Sequence, residues 1–298
     1  MINIVIASDE NYAPHTAALI ASIFTNSAAK NINIYLLADN FSDDTKNKFA
    51  SLERRFSGNI CVTDGNIENF FISDHLSKAA YLRLKIPKLL PESVKKTIYL
   101  DADLLVKSDI SELFNMDIKN KPIAAAPDLG IMTSKRSMAE KINSIGIKKD
   151  DAYFNSGVMI MDLVKWRENN YTENLLKLVG THSFRHHDQD ALNMIFRNNW
   201  YALPLEFNVI PPIFELPLKV LFSKYRNDAI QAIKDAKIIH YAGGHKPWHY
   251  KQTARLNDYY YEMLSKTEFE IPEPKERIFR KYREIFRMWR GQFLTRIL

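Results

Sequence analysis

Cysteine appears once among the 298 residues, as Cys61. That excludes an intrachain disulfide framework and any multi-cysteine zinc or iron–sulfur site, and it fits a reducing compartment. Set between Ile60 and Val62, the thiol reads as core filling rather than as a nucleophile. No stretch approaches the ~20 consecutive apolar residues of a bilayer-crossing helix, and no basic segment leads an apolar one at the N-terminus. The expectation is a protein neither secreted nor membrane-spanning. An excess of one charge is also missing from the body. Of 41 Lys/Arg and 35 Asp/Glu, eight bases and two acids lie in residues 275–298, which leaves 33 of each sign over the first 274. The formal +6 is therefore a property of the tail, and no nucleic acid partner is expected. Glycine is absent from the turn after the first apolar run, where a Rossmann dinucleotide site carries G-x-G-x-x-G, so a dehydrogenase is a poor reading.

What is present is an ordinary globular composition, 46% hydrophobic and 26% charged, in a chain long enough for one large α/β domain with or without an appendage. Apolar runs predict strands at residues 2–7, 34–37, 59–63, 98–100, 123–126, 158–161 and 237–241. Helical patterns lie between them: about residues 14–27, a segment capped by Ser42 with Asp43 and Asp44 in its first turn, residues 77–90 with Tyr81, Leu84 and Leu89 inward, and residues 172–179. Another helix opens at His186-His187-Asp188-Gln189-Asp190. Strand, helix, strand, helix, strand is the pattern of a parallel sheet with covering helices.

The strand at Ile98-Tyr99-Leu100 stops at Asp101-Ala102-Asp103. In a strand, residues i and i+2 face the same side, so two acids at its end converge on one cation while the small Ala102 leaves room. A surface turn explains D-x-D equally well. Other polar residues also follow apolar runs: Asp9 and Asn11, Asp39, and His240. Ligands of open α/β sheets collect at such places, although Asp9 or Asn11 also suits a helix N-cap. Arg83 stands among apolar neighbours and needs either a structural acid or an anion. Asn155-Ser156-Gly157 forms a polar turn in which glycine permits close backbone approach, or a plain β-turn. Acids in a first helical turn, such as Asp188 and Asp190, often reflect the helix dipole. Adjacent His186 and His187 point apart on a helix, so they are not expected to share an ion. Gly243 and Gly244 can expose amides to phosphate and Lys246 can neutralise it, or the loop is a Gly-Gly turn anchored by Trp248.

Taken together, six segments resemble family 8 of the retaining glycosyltransferases, which includes bacterial lipooligosaccharide and lipopolysaccharide galactosyl- and glucosyltransferases and, more distantly, glycogenin. They are residues 4–12 (Ile-Val-Ile-Ala-Ser-Asp-Glu-Asn-Tyr), 81–84 (Tyr-Leu-Arg-Leu), 99–103 (Tyr-Leu-Asp-Ala-Asp), 153–158 (Tyr-Phe-Asn-Ser-Gly-Val), 188–190 (Asp-Gln-Asp), and 240–243 with Lys246-Pro247-Trp248. They occur in the family's order. The resemblance implies an A-type glycosyltransferase fold, a Rossmann-like nucleotide-binding sheet with covering helices, for a catalytic domain set at residues 1–267; Pro272 and Pro274 mark a linker at 268–274 before an amphipathic tail at 275–298. It implies that Asp101, Asp103 and His240 hold Mn²⁺, or Mg²⁺ in its place, on the diphosphate of a UDP-sugar. Ala7, Ser8, Asp9, Asn11, Tyr12, Asp39 and Ala102 would line the nucleotide. Lys246 and the amide of Gly243 would meet the phosphates, and Arg83, Asn155 and Asp188 the donor sugar. Gln189 would lie by the anomeric carbon, with Asp190 the nucleophile if a covalent adduct forms. His75 and Asp128 are acceptor-side candidates. The reaction implied is retaining transfer of a hexose, galactose before glucose, to a glycan or glycolipid acceptor, a lipooligosaccharide or lipopolysaccharide core sugar in first place.

In the tail, Ile278, Tyr282, Ile285, Phe286, Trp289, Phe293 and Ile297 recur at helical spacing among bases. That pattern predicts a helix on an anionic membrane surface, hence a cytoplasmic enzyme held peripherally on the inner face. Packing on the body or on a second subunit is the alternative. Two competing functions are a haloacid-dehalogenase-like phosphohydrolase, which also sets D-x-D after a strand, and a non-catalytic membrane-surface binding module.

Overall fold

The computed structural model describes residues 1–29, 31–64, 78–244, 246–249, 255–271 and 274. His75 and the tail 275–298 therefore lie outside the described residues. The strands there are β1 Ile2–Asp9, β2 Ile32–Asp39, β3 Asn59–Asp64, β4 Lys96–Leu100, β5 Leu104–Val106, β6 Ile123–Pro127, β7 Phe154–Asp162, β8 Tyr201–Ala202 and β9 Ile238–His240. Seven of them make one sheet in the order β3-β2-β1-β4-β7-β6-β8, and β5 pairs with β9 in a second.

The first half of the large sheet is parallel, as the alternation of strands and helices predicts. Both faces are covered, which is why its strands are continuous apolar runs. Along β1 the side chains sort by period two: Ile4 and Ile6 join the core beneath α1 (Ala13–Asn26) and α2 (Asp43–Phe56), and Val5 and Ala7 join that beneath α3 (Lys78–Leu89). Ser42 caps α2, its Oγ accepting the Thr45 N–H at 3.2 Å. Two expected core residues face solvent instead: Leu89 at the end of α3 is 38% exposed, and Cys61 is exposed on β3, at the sheet's edge.

The second half departs from an all-parallel sheet. β7 runs antiparallel to both β4 and β6. A buried apolar run carries no signal of its direction, so this is invisible in the strand's own residues. Asn155-Ser156-Gly157 belongs to β7 rather than to a turn before it. The register with β6 jumps from Ala125↔Met159 to Ala126↔Asn155, and such an irregularity re-aims side chains beside a site. Beyond β4 the chain leaves the large sheet: Asp101 donates its N–H to Gly157 O at 2.9 Å, and β5 pairs antiparallel with β9 in the register Leu104↔His240. Asp101 and Asp103 thus converge through a turn between two sheets, not through the side of one strand. His240, expected at an end of the main sheet, closes a strand of the small one. Among the described residues no helix is long and apolar enough to cross a membrane.

Candidate active site

The β5–β9 pairing carries His240 from far downstream to the two carboxylates. Ligand atoms of Asp101, Asp103 and His240 lie within 4.8 Å of one another. His240 Nε2 is 3.3 Å from Asp103 Oδ1 and 3.8 Å from Asp101 Oδ2. Gly157 makes the space, since a Cβ there would stand 2.3 Å from His240 Cε1 and 2.8 Å from Asp101 Oδ2. Lys246 reaches in from the following loop, its ammonium on Asp103 Oδ2 and donating to Tyr241 O at 2.7 Å. Burial alone would raise the Asp103 carboxyl, but His240 and Lys246 hold it well below the usual carboxylate range. Two carboxylates and an imidazole around a shared point, with an ammonium already drawn to one of them, fit a divalent cation with mixed oxygen and nitrogen preference.

Arg83 is buried at the centre of the site. Its Nη2 is 2.9 Å from Asp101 Oδ1 and its Nε 3.0 Å from Asp188 Oδ2, while Nη1 donates to Ser156 Oγ and Ser156 O at 3.1 and 3.3 Å. The guanidinium lies 4.8 Å over the Tyr99 ring, and Tyr99 OH donates to Asp101 Oδ1 at 2.7 Å. Of the two readings of Arg83, the structural partners are therefore present. Burial opposes its charge, but Asp101 and Asp188 outweigh burial and raise its pKa. For Asp188 the balance is reversed: burial, with the like charge of Asp101, outweighs Arg83 and raises the carboxyl. One guanidinium shared by two acids leaves Asp188 incompletely compensated for its burial.

Gln189 is held at both ends of its amide. Its Oε1 accepts from Ser156 N at 3.1 Å and Ser156 Oγ at 3.4 Å; its Nε2 donates to Asp128 Oδ2 at 3.2 Å and Tyr153 OH at 3.3 Å. Asn155 donates to the same Asp128 Oδ2 at 3.3 Å. Asp190 is placed differently from the expectation of a nucleophile within reach of a sugar. It is 0% exposed, ion-paired with the fully buried Lys141 at 2.7 Å, and it accepts from Tyr153 OH at 2.6 Å and the His186 N–H at 2.9 Å.

The nucleotide-side candidates gather at the carboxyl ends of β1 and β2, where Asp9 lies opposite Asp39. Asp9 is a cap here, its Oδ1 accepting the Tyr12 N–H at 3.0 Å. Asn11 is exposed and Ala7 and Ser8 are buried. The Ser8 hydroxyl is engaged inward, accepting from Thr16 Oγ1 at 2.8 Å and donating to Asp9 O at 3.1 Å. Burial and the nearby carboxylates of Asp103, Asp9 and Asp101 push the Tyr12 hydroxyl up to about 12. Ala102 is buried in the D-x-D turn, and Gly243 has φ +84°, open to glycine without strain.

A cleft of about 480 Å³ is walled by Arg83, Asp101, Asp103, Asp128, Asn155, Asp188, Gln189, His240 and Gly243, while Ala7, Ser8, Asp9, Asn11, Tyr12 and Asp39 are not in its wall. Its outer wall includes Arg185, His186, His187, Pro211 and Pro212, to which sequence reasoning gave no role. Asn208 was also missed. It is buried within one hydrogen bond of His240, with Nδ1 of the ring 2.9 Å from Asn208 Oδ1. The only signal was a lone amide in the apolar context Leu205-Glu206-Phe207-Asn208-Val209-Ile210.

The model of Glycosyl transferase family 8 matches residues 3–252. General stress protein A of Bacillus subtilis is 32% identical over 281 residues, spanning 90% of this chain and 95% of that protein. A lipopolysaccharide 1,2-glucosyltransferase of Escherichia coli K12 is 28% identical over 254 residues, 83% of this chain and 73% of the other. Among solved structures, galactosyltransferase LgtC in complex with donor and acceptor sugar analogs aligns with a TM-score of 0.77 at 25% identity, over 91% of this chain and 98% of that one.

Proposed function

The chain belongs to glycosyl transferase family 8 and has an A-type glycosyltransferase fold, and from that premise we propose that it moves a hexose from a UDP-sugar to a glycan acceptor with retention of configuration. Galactose is favoured and glucose next, with a lipooligosaccharide or lipopolysaccharide core sugar as acceptor, in keeping with the relatives named above. The observation that carries the reading is the approach of Asp101, Asp103 and His240 to within 4.8 Å. A divalent ion there, Mn²⁺ or Mg²⁺, supplies charge neutralisation for a departing diphosphate.

The remaining roles belong to the chain itself. Lys246 exchanges Asp103 for the phosphates when the nucleotide arrives, since an ammonium is a mobile point charge on a flexible stem. Ala7, Ser8, Asp9, Asn11, Tyr12, Asp39 and Ala102 form the uridine side. Asp188, undercompensated by Arg83, accepts a hydrogen bond from a sugar hydroxyl, and Asn155 holds the neighbouring edge of the cleft. Gln189, fixed at both ends of its amide, presents a preorganised dipole beside the anomeric carbon. An amide oxygen is a weak nucleophile, and Asp190 is held in a buried ion pair. Both points favour attack by the acceptor on the face from which UDP leaves. Asp128, bonded to Gln189 Nε2, marks the acceptor side, and His75 is proposed there with it. The proposed organisation is a catalytic part at 1–267, a linker at 268–274 and a basic tail at 275–298 that rests on an anionic membrane surface.

Release of UDP from UDP-galactose or UDP-glucose in the presence of Mn²⁺ tests the reading. Asp103→Ala is expected to abolish release with an unchanged far-UV spectrum. Near-normal turnover in that variant removes the cation from the mechanism. Hydrolysis of simple phosphate esters instead would favour a phosphohydrolase, and neither activity would favour a binding module.

A further inference from the structure

Behind the D-x-D turn a line of buried amides runs from the acceptor side to the imidazole, and one backbone group fixes the direction of every hydrogen bond in it. The Gly157 N–H can only donate, and the atom it meets at 3.0 Å is Asn155 Oδ1. The other end of that amide is therefore Nδ2, which donates to Asp128 Oδ2. Asn155 Oδ1 has a second neighbour at 2.9 Å, the side-chain amide of Asn208. An oxygen requires a donor, so Asn208 turns its Nδ2 toward Asn155. Its Oδ1 then faces His240 Nδ1 at 2.9 Å. Two bare acceptors would repel, so the ring nitrogen carries the proton.

We infer that Asn208 is a positioning residue that keeps the proton of His240 on Nδ1, which leaves Nε2 as the nitrogen available to a cation held with Asp101 and Asp103. The inference rests on the reading of those three residues as a cation site. A neutral imidazole has one bare nitrogen, and only the bare one can bind a cation. The partner of the other nitrogen therefore sets both the tautomer and the ring's orientation. The backbone is arranged to hold Asn208 in place: Val209 donates its N–H to Ile238 O at 2.9 Å and accepts from the His240 N–H at 3.1 Å. At 1% exposure Asn208 has no water to replace a lost partner, so truncating it leaves His240 Nδ1–H buried and unsatisfied.

The test begins without metal. In ¹⁵N-histidine-labelled protein, with the His240 signals assigned by their loss in His240→Gln, Nδ1 is expected to be of the protonated type; Nε2, 3.3 Å from Asp103 Oδ1, is free to carry a proton of its own until a cation replaces it. In Asn208→Leu, Nδ1 is expected to lose its proton, and the affinity for Mn²⁺, titrated with UDP present, to fall ten- to a hundredfold. Asn208→Asp keeps an oxygen toward the ring and is expected to retain the Nδ1 proton, although its second oxygen meets the acceptor Asn155 Oδ1 and the donor of Asn208 Nδ2 is lost. A wild-type spectrum with Nδ1 bare overturns the inference even if the leucine variant does not fold. So does a folded leucine variant with both tautomer and Mn²⁺ affinity intact. If the wild type binds no Mn²⁺, the cation reading fails separately, while the metal-free spectrum still decides whether Asn208 sets the tautomer.

Discussion

Gly157 is the residue on which most of the site converges. Its carbonyl accepts the Asp101 N–H and its own N–H is bonded to Asn155 Oδ1. Its missing Cβ is the space occupied by His240 Cε1 and Asp101 Oδ2, which would lie 2.3 and 2.8 Å from a methyl group. The side chains that must give way are the proposed cation ligands themselves, and His240 is 3% exposed with no room to retreat. Gly157→Ala is therefore expected to cut Mn²⁺ affinity and UDP release by at least about tenfold, measured together by titration and turnover in a variant with wild-type secondary structure. Gly243 is the contrasting case. Nothing lies within 4 Å of a Cβ there, yet φ is +84°, so alanine would meet backbone strain of about 1–2 kcal/mol and no clash.

At the scale of elements, the loop after β9 is fastened to α1 by aromatic contacts. His15 of α1 stacks on Trp248 with ring centroids 3.6 Å apart, and its Nδ1 is 2.6 Å from Tyr260 OH. Burial, with smaller contributions from His249 and Lys246 and against the pull of Asp103, lowers the His15 pKa to about 3. The unfolded chain, near 6.5, takes up this proton first as pH falls. The contribution of His15 to stability is thus complete above about pH 6.5 and is lost between there and about pH 3, at no more than about 1.4 kcal/mol per pH unit. Urea midpoints at about pH 7 and pH 5 should show a smaller acid loss in His15→Phe than in the wild type; equal losses would mean that the imidazole is not held neutral. This fastening was only half legible in the sequence. Trp248 could be read as an anchor, but its partner lies 233 positions earlier in a helix whose residues look like plain core. The same limit recurs elsewhere. Strands β1 to β4, the place of D-x-D directly after β4 and the Ser42 cap are local patterns and were readable. Strand β5, three residues long, and the antiparallel direction of β7 depend on distant partners. The burial of Asp190 depends on Lys141, 49 residues away, and the place of Asn208 on a bridge to β9.

For the whole molecule, the proposed use of a UDP-sugar predicts a ligand-linked gain in stability that can be measured without an acceptor. A ligand that binds only the folded state adds about 2.7 kcal/mol at a hundredfold excess over its Kd. In a chain of this size that is a rise in Tm of several degrees, at roughly 2–4 °C per kcal/mol. Two features of the site predict how the rise divides. In the proposed function the uridine and diphosphate contacts would be common to all UDP-sugars, so UDP with Mn²⁺ should give most of it. Arg83, Asn155 and Asp188 line the cleft beyond the D-x-D turn, so the increment over UDP should separate UDP-galactose from UDP-glucose, which differ in one hydroxyl. Asp188→Asn should remove that increment and leave the UDP rise, because an amide cannot accept a charge-assisted bond. Asp103→Asn should remove the dependence on Mn²⁺ for every nucleotide. If all UDP-sugars stabilise the protein no more than UDP does, donor selection does not lie in the binding of the sugar at this cleft. It would then have to arise in the transition state, where discrimination is read as a ratio of kcat/KM values.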